Sequence, residues 1–278
     1  MEYCTNTSAR AFRVRWFTEN CCEFETPEGK HILIDPILLK EESAAPGMLR
    51  GYVSGYGIDD VDRCDLILLT HTHGDHTASL KEAWERFRCP VLCSPMTSYA
   101  LARQMDIPYS FFINGTDGFD YNFGDFRVMP LPAVHSHITV RWPSADLPPA
   151  EDDAGRLANS LGSMYNQNYL ITLSNGLRLA FDAGQPDDVL SEWEKYRPFA
   201  LFRHRHTDFE EGVRILYEGA VRSRATFILP ICKHKNPELV ERQTEEVNRK
   251  LAESGSYARC VNMKPGKWVS FDTVTVSE

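Results

Sequence analysis

Three histidines and one aspartate occupy six consecutive positions in the stretch THTHGDH, residues 70–76. His71 and His73 are two residues apart, and Asp75 and His76 follow at once, in a chain that has only nine histidines. Imidazole nitrogens and carboxylate oxygens are suitable ligands for divalent transition metals. One metal cannot easily use all four groups because the backbone between them is short, whereas two adjacent metals can. The motif therefore predicts a dinuclear metal site, which also needs ligands from elsewhere and a bridging carboxylate.

Several predicted strands end at a possible metal ligand. The apolar run Leu66–Leu69 predicts a buried strand that leads into the motif at His71. Later apolar or alternating runs end at His135, at Asp182 and at His234. Because rigid scaffolds place chemistry at strand ends along one edge of a sheet, we expect these four positions to lie close together.

The remaining chain contains further short strands, helical patterns and two long excursions. Asn175-Gly176 between two alternating runs predicts a β-hairpin. The excursions, near 40–62 and 143–160, lack a clean period, and they can cap a site or form an interface. Helices are predicted over residues 77–87, 94–105, 187–196 and 209–220, and from Asn236-Pro237 onward.

An H-x-H-x-D-H motif directly after an apolar strand resembles the signature of the metallo-β-lactamase superfamily. The other features follow in a similar order: an early W…GKHILIDP segment, the motif, a lone histidine, an aspartate after a hairpin and a late histidine after a buried strand. The spacing most resembles the branch that contains L-ascorbate-6-phosphate lactonase and many metal-dependent hydrolases. The likeness spans residues 12–272. It implies a single domain over 1–278 with an α/β fold, an αββα four-layer sandwich whose dinuclear site lies at one edge of the two sheets.

The resemblance also implies a set of site residues at the positions that match the family's motif. The implied metal ligands are His71, His73 and His135 for the first metal, Asp75, His76 and His234 for the second, and Asp182 as the bridge. Asp75 and Asp182 are the implied catalytic groups, since they anchor the metals and can accept or pass on a proton.

The sequence departs from the family pattern in two places. The bridging aspartate of the family usually stands before Thr or Ser in a Gly-Asp context, and here the context is Phe181-Asp182-Ala183. This departure leaves the ligand itself intact. The early tryptophan of the family is often followed by Gly-His or Gly-Gln, whereas Trp16 begins the stretch WFTENCC. The second departure concerns the substrate contacts that the family makes near that loop.

Three assignments have two interpretations each. His137 is an alternative to His135 as the ligand, or a group that faces the substrate. Asp35 either orients a histidine or forms a turn before Pro36. The stretch at 203–206, Arg-His-Arg-His, is either an anion pocket near the metals or a solvated approach to a helix.

Composition limits the classes of function and the cellular location. The chain has 278 residues, 42% of them hydrophobic and 25% charged, which is typical of a globular protein. A net charge of -9 disfavours non-specific nucleic-acid binding. No apolar run is long enough to span a bilayer and no secretory signal is evident, so we expect a cytoplasmic protein without a membrane partner. The eight cysteines lack zinc-knuckle spacing and are predicted to be buried free thiols.

The predicted reaction is metal-assisted hydrolysis of a small molecule. Two divalent ions, zinc in the first instance and manganese or iron as alternatives, would activate a water that attacks a small anionic ester or lactone. A phosphodiesterase acting on a cyclic or nucleotide-like ester is the first alternative. A dinuclear iron protein for oxygen or nitric oxide reduction is disfavoured by His73, where such proteins usually carry Glu, and by the chain length. A metal-binding module without activity is the last alternative. The oligomeric state is not readable from the sequence.

Overall fold

The computed structural model describes residues 6–42, 52–135, 162, 164–184, 190–231 and 236–276. Within these ranges the strands form two seven-stranded sheets. Helices cover the outer faces of both sheets, and the inner faces pack against each other. This arrangement is the four-layer αββα sandwich of the metallo-β-lactamase type that the sequence predicts.

The first sheet, sheet A, has the strand order β14-β1-β2-β3-β4-β5-β6. Its strands are β1 (Asn6–Thr18), β2 (Cys21–Glu25), β3 (His31–Ile34), β4 (Leu66–Leu68), β5 (Val91–Cys93), β6 (Phe112–Asn114) and β14 (Trp268–Val276). The pairs from β14 to β3 are antiparallel, and those from β3 to β6 are parallel. The carboxyl ends of β3 and β4 therefore share one edge of the sheet.

The second sheet, sheet B, has the strand order β13-β12-β11-β10-β9-β8-β7. Its strands are β7 (Tyr121–Asn122), β8 (Phe126–Ala133), β9 (Asn166–Leu173), β10 (Arg178–Asp182), β11 (Ala200–His204), β12 (Phe227–Ile231) and β13 (Arg259–Cys260). The pairs from β10 to β13 are parallel. Strand β9 is antiparallel to both β8 and β10. The ends of β8 and β10 therefore lie at the same edge of the sheet as the start of β9.

The helices in the described residues are α1 (Gly74–Thr77), α2 (Leu80–Phe87), α3 (Pro95–Met105), α4 (Leu190–Tyr196), α5 (Phe209–Ser223) and α6 (Pro237–Glu253). Three of these six helices begin at a side-chain cap, namely α3, α5 and α6. The Asp208 side chain accepts a hydrogen bond from the Glu211 N–H at the start of α5, and Asn236 accepts one from the Leu239 N–H at the start of α6. Such caps satisfy backbone donors that the first helical turn leaves unpaired. None of the helices in the described part of the chain combines the length and apolarity that crossing a membrane requires.

Alternation along the strands sorts the apolar side chains into an inner and an outer set. On β10, Phe181 packs between the sheets while its neighbour Ala180 faces the helices, and on β11 Phe202 and Leu201 divide in the same way. Successive side chains of a strand point to opposite faces, so a strand buried on both sides must be apolar at every position. This explains the continuous apolar runs of the sequence, such as the one in β4.

Two hydrogen bonds join the sheets directly below the motif. The Gln167 N–H, at the start of β9, donates to the Thr70 carbonyl at 2.8 Å. The Tyr169 hydroxyl donates to the Leu69 carbonyl at 2.5 Å, although Tyr169 belongs to sheet B and Leu69 follows β4 of sheet A. These contacts bring the carboxyl-terminal edge of β4 to the edge where β8 and β10 end. They are the structural reason why distant ligands can meet.

Most predicted elements are present, with shifted ends. The hairpin at Asn175-Gly176 joins β9 and β10 as predicted. The helix predicted over 77–87 begins three residues later, as α2 at Leu80, and the motif itself contains the separate helical turn α1. The excursion near 40–62 is described only in part, and there Tyr56 packs on Phe17 of sheet A. The excursion near 143–160 lies outside the described residues.

Replacing Tyr169 by Phe tests the bond between the sheets. Tyr169 is fully buried, so the variant leaves the Leu69 carbonyl without this donor. We expect the free energy of unfolding to fall by about 1–2 kcal/mol, measured by urea titration. Tyr257→Phe is the matched control, because this tyrosine is 96% exposed. Equal stability of the two variants would show that the bond does not join the sheets energetically.

Candidate metal centre

Three histidines predicted to hold one metal lie together at the shared edge of the sheets. His71, His73 and His135 each offer a ring nitrogen, and these nitrogens lie within 4.8 Å of one another. The ring centroids are 4.7 Å apart for His71 and His73, 4.9 Å for His71 and His135, and 4.8 Å for His73 and His135. Three imidazoles that converge in this way form a set of donors suited to zinc.

A second group overlaps with the first. His71, Asp75 and His76 also offer one ligand atom each within 4.8 Å, and the rings of His71 and His76 are 3.8 Å apart. His71 belongs to both groups, so the two possible cation positions are adjacent. The structure thus brings together five of the seven predicted ligands.

The local sequence explains how the motif turns so tightly. The chain is extended up to His73 and then forms the single helical turn α1, in which the His76 N–H donates to the His73 carbonyl at 2.9 Å. The Thr77 hydroxyl donates to the same carbonyl at 3.1 Å. Gly162 lies against the motif so closely that a Cβ there would be 2.8 Å from the His73 ring. A larger residue at 162 would therefore displace the ring.

The carboxylate of Asp35 contacts both ends of the motif, at Thr70 and at His76. It accepts hydrogen bonds from the Thr70 N–H at 2.7 Å and the Thr70 hydroxyl at 2.5 Å, and it lies 2.7 Å from Nδ1 of His76. Asp35 is fully buried and has a positive φ of 44°, an uncommon conformation that its neighbours must stabilise. Of the two interpretations of Asp35, the structure shows the one in which it orients a histidine. Its bond to Nδ1 leaves Nε2 of His76 as the donor to a metal.

The donor atoms that face inward fit a metal. Nε2 of His71 and Oδ1 of Asp75 are buried and have no hydrogen-bond partner among the described residues. Burial, followed by the neighbouring histidines, lowers the pKa of His71 well below its ordinary value, so the ring is neutral, as a ligand must be. Burial by itself also lowers the pKa of His76, but the Asp35 carboxylate outweighs burial and raises it. A buried polar atom without a hydrogen-bond partner is costly, and coordination of a cation would satisfy both of these atoms.

Asp182 is held by other protein groups. It is fully buried at the end of β10 and forms an ion pair with the guanidinium of Arg203 on β11. Nδ2 of Asn168 donates to its other oxygen at 3.3 Å. Burial raises the pKa of the Asp182 carboxyl, and Arg203 opposes that increase. Asp182 is part of neither convergent ligand group in the described part of the chain.

The last predicted ligand and one alternative lie outside the described residues. These are His234, which follows β12, and His137, which follows His135. Their roles stay predictions.

Comparisons with known proteins give the same family as the motif. Residues 30–156 match the model of the Beta-lactamase superfamily domain. A UPF0173 metal-dependent hydrolase of Cupriavidus necator is 24% identical over 267 residues, which cover 93% of this chain and 85% of the relative. One from Archaeoglobus fulgidus is 24% identical over 213 residues, covering 76% and 83% of the two chains. These similarities support the metallo-β-lactamase superfamily as the family that the chain resembles.

A solved structure supports the superfamily fold independently. Igni18, a metallo hydrolase from the archaeon Ignicoccus hospitalis, superposes with a TM-score of 0.61 at 19% identity, covering 95% of this chain and 99% of that one. The prediction of a metal-dependent hydrolase of the metallo-β-lactamase superfamily agrees with the names of these relatives. The ascorbate-6-phosphate lactonase-like branch stays a prediction.

Both interpretations of residues 203–206 were incomplete. Arg203 and Arg205 are fully buried, so a solvated approach is wrong for them. Arg203 is paired with Asp182. Arg205 donates to the His206 carbonyl at 3.0 Å and to Oε1 of Gln243 at 3.3 Å. An arginine directly after the apolar run at 200–202 was the available signal that its charge needs a buried partner. The six described cysteines are buried free thiols, as predicted.

The turn between β1 and β2 reaches the same edge of sheet A, which the sequence did not reveal. Cys22 pairs with Ile34, so the start of β2 lies beside the end of β3 and close to Asp35. Nε1 of Trp16 donates to the Glu19 carbonyl at 2.8 Å and shapes the turn, where Glu19 has a φ of 38°. The charge of Glu19 also contributes to the raised pKa of His76. This turn is the stretch that departs from the superfamily pattern.

Replacing Asp35 by Asn tests its supporting role. The amide cannot accept every hydrogen bond that the carboxylate accepts, and the orientation of His76 is lost. We expect zinc affinity to fall by about 10- to 100-fold, the usual effect of removing such a partner, measured by competition with a chromogenic chelator. Asp65→Asn is the control, because Asp65 accepts the His31 N–H at the opposite ends of the same two strands. Equal affinity of both variants would contradict the assignment.

The pH dependence of metal binding follows from His76. Because its pKa is raised in the metal-free protein, a metal that binds there displaces a proton. We expect the affinity for zinc to fall about tenfold per pH unit below that raised pKa, and to level off above it. Calorimetry in buffers of different ionisation enthalpy measures the released proton. Binding with no proton release near neutral pH would exclude His76 as a ligand.

Proposed function

We propose that the chain is a hydrolase that uses a dinuclear metal-activated water on a small ester or lactone, with the whole of 1–278 acting as one domain. The observation that carries the proposal is the pair of ligand groups that share His71 at one sheet edge. Two ions at such positions lower the pKa of a shared water and polarise the substrate. Zinc is the ion that the histidine-rich donor set favours, with manganese and iron as alternatives.

The candidate ligands are proposed to form two sets, one for each metal ion. His71, His73 and His135 are proposed to hold the first ion, and Asp75 and His76 the second. His234 is proposed to complete the second set, and Asp182 to contribute a carboxylate between the two. These last two assignments rest on the superfamily resemblance.

The side chains around the metals have roles in proton movement. If Oδ1 of Asp75, which is buried without a hydrogen-bond partner among the described residues, binds the second ion, the other carboxylate oxygen can accept a proton from the nucleophilic water. Asp35 keeps His76 in one tautomer and belongs to neither ligand group. A cysteine nucleophile is disfavoured for the described thiols, because burial raises the pKa of Cys93 to about 12 and that of Cys21 further.

The charges near the site favour an ester or lactone over a phosphodiester. Phosphate recognition usually relies on arginine forks that are open to the ligand. Arg203 and Arg205, the predicted anion pocket, are instead buried and engaged with protein groups. Glu19 adds a negative charge close enough to act on His76, and this charge opposes the single negative charge of a phosphodiester. A phosphodiesterase on a cyclic or nucleotide-like ester is the alternative outcome of the assay below.

Replacing His73 by Ala tests the function. With one ligand of the first metal missing, we expect kcat/KM to fall more than about a hundredfold, beyond the usual effect of losing a supporting partner. The assay uses the zinc-loaded protein on a panel of lactones and aryl esters and on bis-p-nitrophenyl phosphate. Metal content is measured in parallel by mass spectrometry. His206→Ala is the control, because that histidine is exposed and outside both ligand groups.

Each result of this assay has a defined meaning. Turnover of lactones or esters that depends on His73 supports the proposal. Turnover of the phosphodiester alone selects the alternative. Zinc uptake without any turnover leaves a metal-binding module, and absence of zinc uptake rejects the metal centre.

A further inference from the structure

The carboxylate of Asp182 forms an ion pair with the guanidinium of Arg203. Asp182 and Arg203 are register partners on the parallel strands β10 and β11, and both are fully buried. Nη1 of Arg203 pairs with Oδ2 of Asp182, and Nδ2 of Asn168 approaches Oδ1 at 3.3 Å. Both carboxylate oxygens therefore already have a donor.

This pair lies on the helix-covered side of sheet B. Phe181 and Phe202, the preceding residues on the two strands, point into the core between the sheets. Since side chains alternate along a strand, Asp182 and Arg203 point the other way, toward α5. Nε of Arg203 donates to the Ile215 carbonyl of α5 at 3.2 Å, which confirms this direction.

The guanidinium has little freedom to leave. A Cβ at Gly219 of α5 would lie 2.7 Å from Cδ of Arg203 and 3.0 Å from its Nε, so the helix is packed directly on the arginine. The missing side chain at Gly219 is what makes room for it. Asp182, in contrast, is the last residue of its strand. Of the two partners, the aspartate is the one that can change direction.

A metal ion and the guanidinium of Arg203 would compete for the carboxylate of Asp182. Each is a cation, and in a buried site two cations repel each other strongly. Asp182 cannot turn toward the ligand groups without leaving Arg203 with a buried charge and fewer partners, which is costly. The first group, formed by His71, His73 and His135, needs nothing from Asp182.

We propose that Arg203 is a positioning residue that competes with the second metal for Asp182, so that the two metal sites fill in sequence with unequal affinity. The proposal rests on the proposed function in one respect, that metals bind at this edge. The first site fills while Asp182 stays on Arg203. Filling of the second requires the carboxylate to turn away from the guanidinium.

Zinc titration of the wild-type protein and of Arg203→Met tests the proposal. Losing an opposite charge at hydrogen-bonding distance changes the proton affinity of a carboxylate by about 10- to 1000-fold. We expect two separate binding steps in the wild type, and a second step that tightens at least about tenfold in Arg203→Met while the first is unchanged. Arg205→Met is the matched control, because this buried arginine pairs with Gln243 and a carbonyl. A second step that is the same in all three proteins overturns the proposal.

A spectroscopic measurement on the wild type keeps the test valid if Arg203→Met does not fold. The Nε–H of Arg203 is buried and hydrogen-bonded, so its signal in protein labelled with ¹⁵N-arginine should be observable, and its absence from Arg203→Lys assigns it. We expect this signal to stay constant during the first equivalent of zinc and to shift during the second. A signal that shifts with the first equivalent, or never, overturns the proposal. Uptake of two zinc ions with equal affinity also overturns this proposal but is compatible with the proposed metal centre. Absence of zinc uptake rejects both the proposal and the metal centre.

Discussion

The loop that carries the candidate metal ligands depends on one buried carboxylate, that of Asp35. It lies at the end of β3 and accepts hydrogen bonds from the backbone and hydroxyl of Thr70, at the end of the neighbouring strand β4. The same carboxylate holds Nδ1 of His76, so one group fixes both the start of the loop and the ring at its far end. A buried charge is stable only when it is fully hydrogen-bonded, and Asp35 meets this condition through the loop that it supports.

A second constraint comes from the two sheets, which must meet at the correct edge. The Gln167–Thr70 and Tyr169–Leu69 bonds attach the start of β9 to the end of β4. Since β8 and β10 end beside the start of β9, His135 is carried to the motif from a different sheet. The large core between the sheets stabilises this alignment without specifying its register, because apolar burial is non-directional. The hydrogen bonds supply the register.

Electrostatics at this edge favour one cation position over the other. His71, which the two groups share, is neutral because burial lowers its pKa. Around the second position, Asp35 and Glu19 raise the proton affinity of His76, and Asp182 is paired with Arg203. Under the proposed assignment, a proton on His76 and the guanidinium of Arg203 would both compete with a metal at the second position.

The sequence by itself determined the chemistry of the loop and the order of the elements. The spacing of His71, His73, Asp75 and His76 after an apolar run was sufficient to predict metal ligation, because this chemistry depends on local spacing. The hairpin at Asn175-Gly176 and the helix after Asn236 were likewise predictable, since turns and caps are local. The tertiary structure alone decided that Asp35 supports His76 and that Arg203 pairs with Asp182. These contacts join residues 41 and 21 positions apart, and which face a strand-end side chain takes depends on the packing of its neighbours, which no local pattern records.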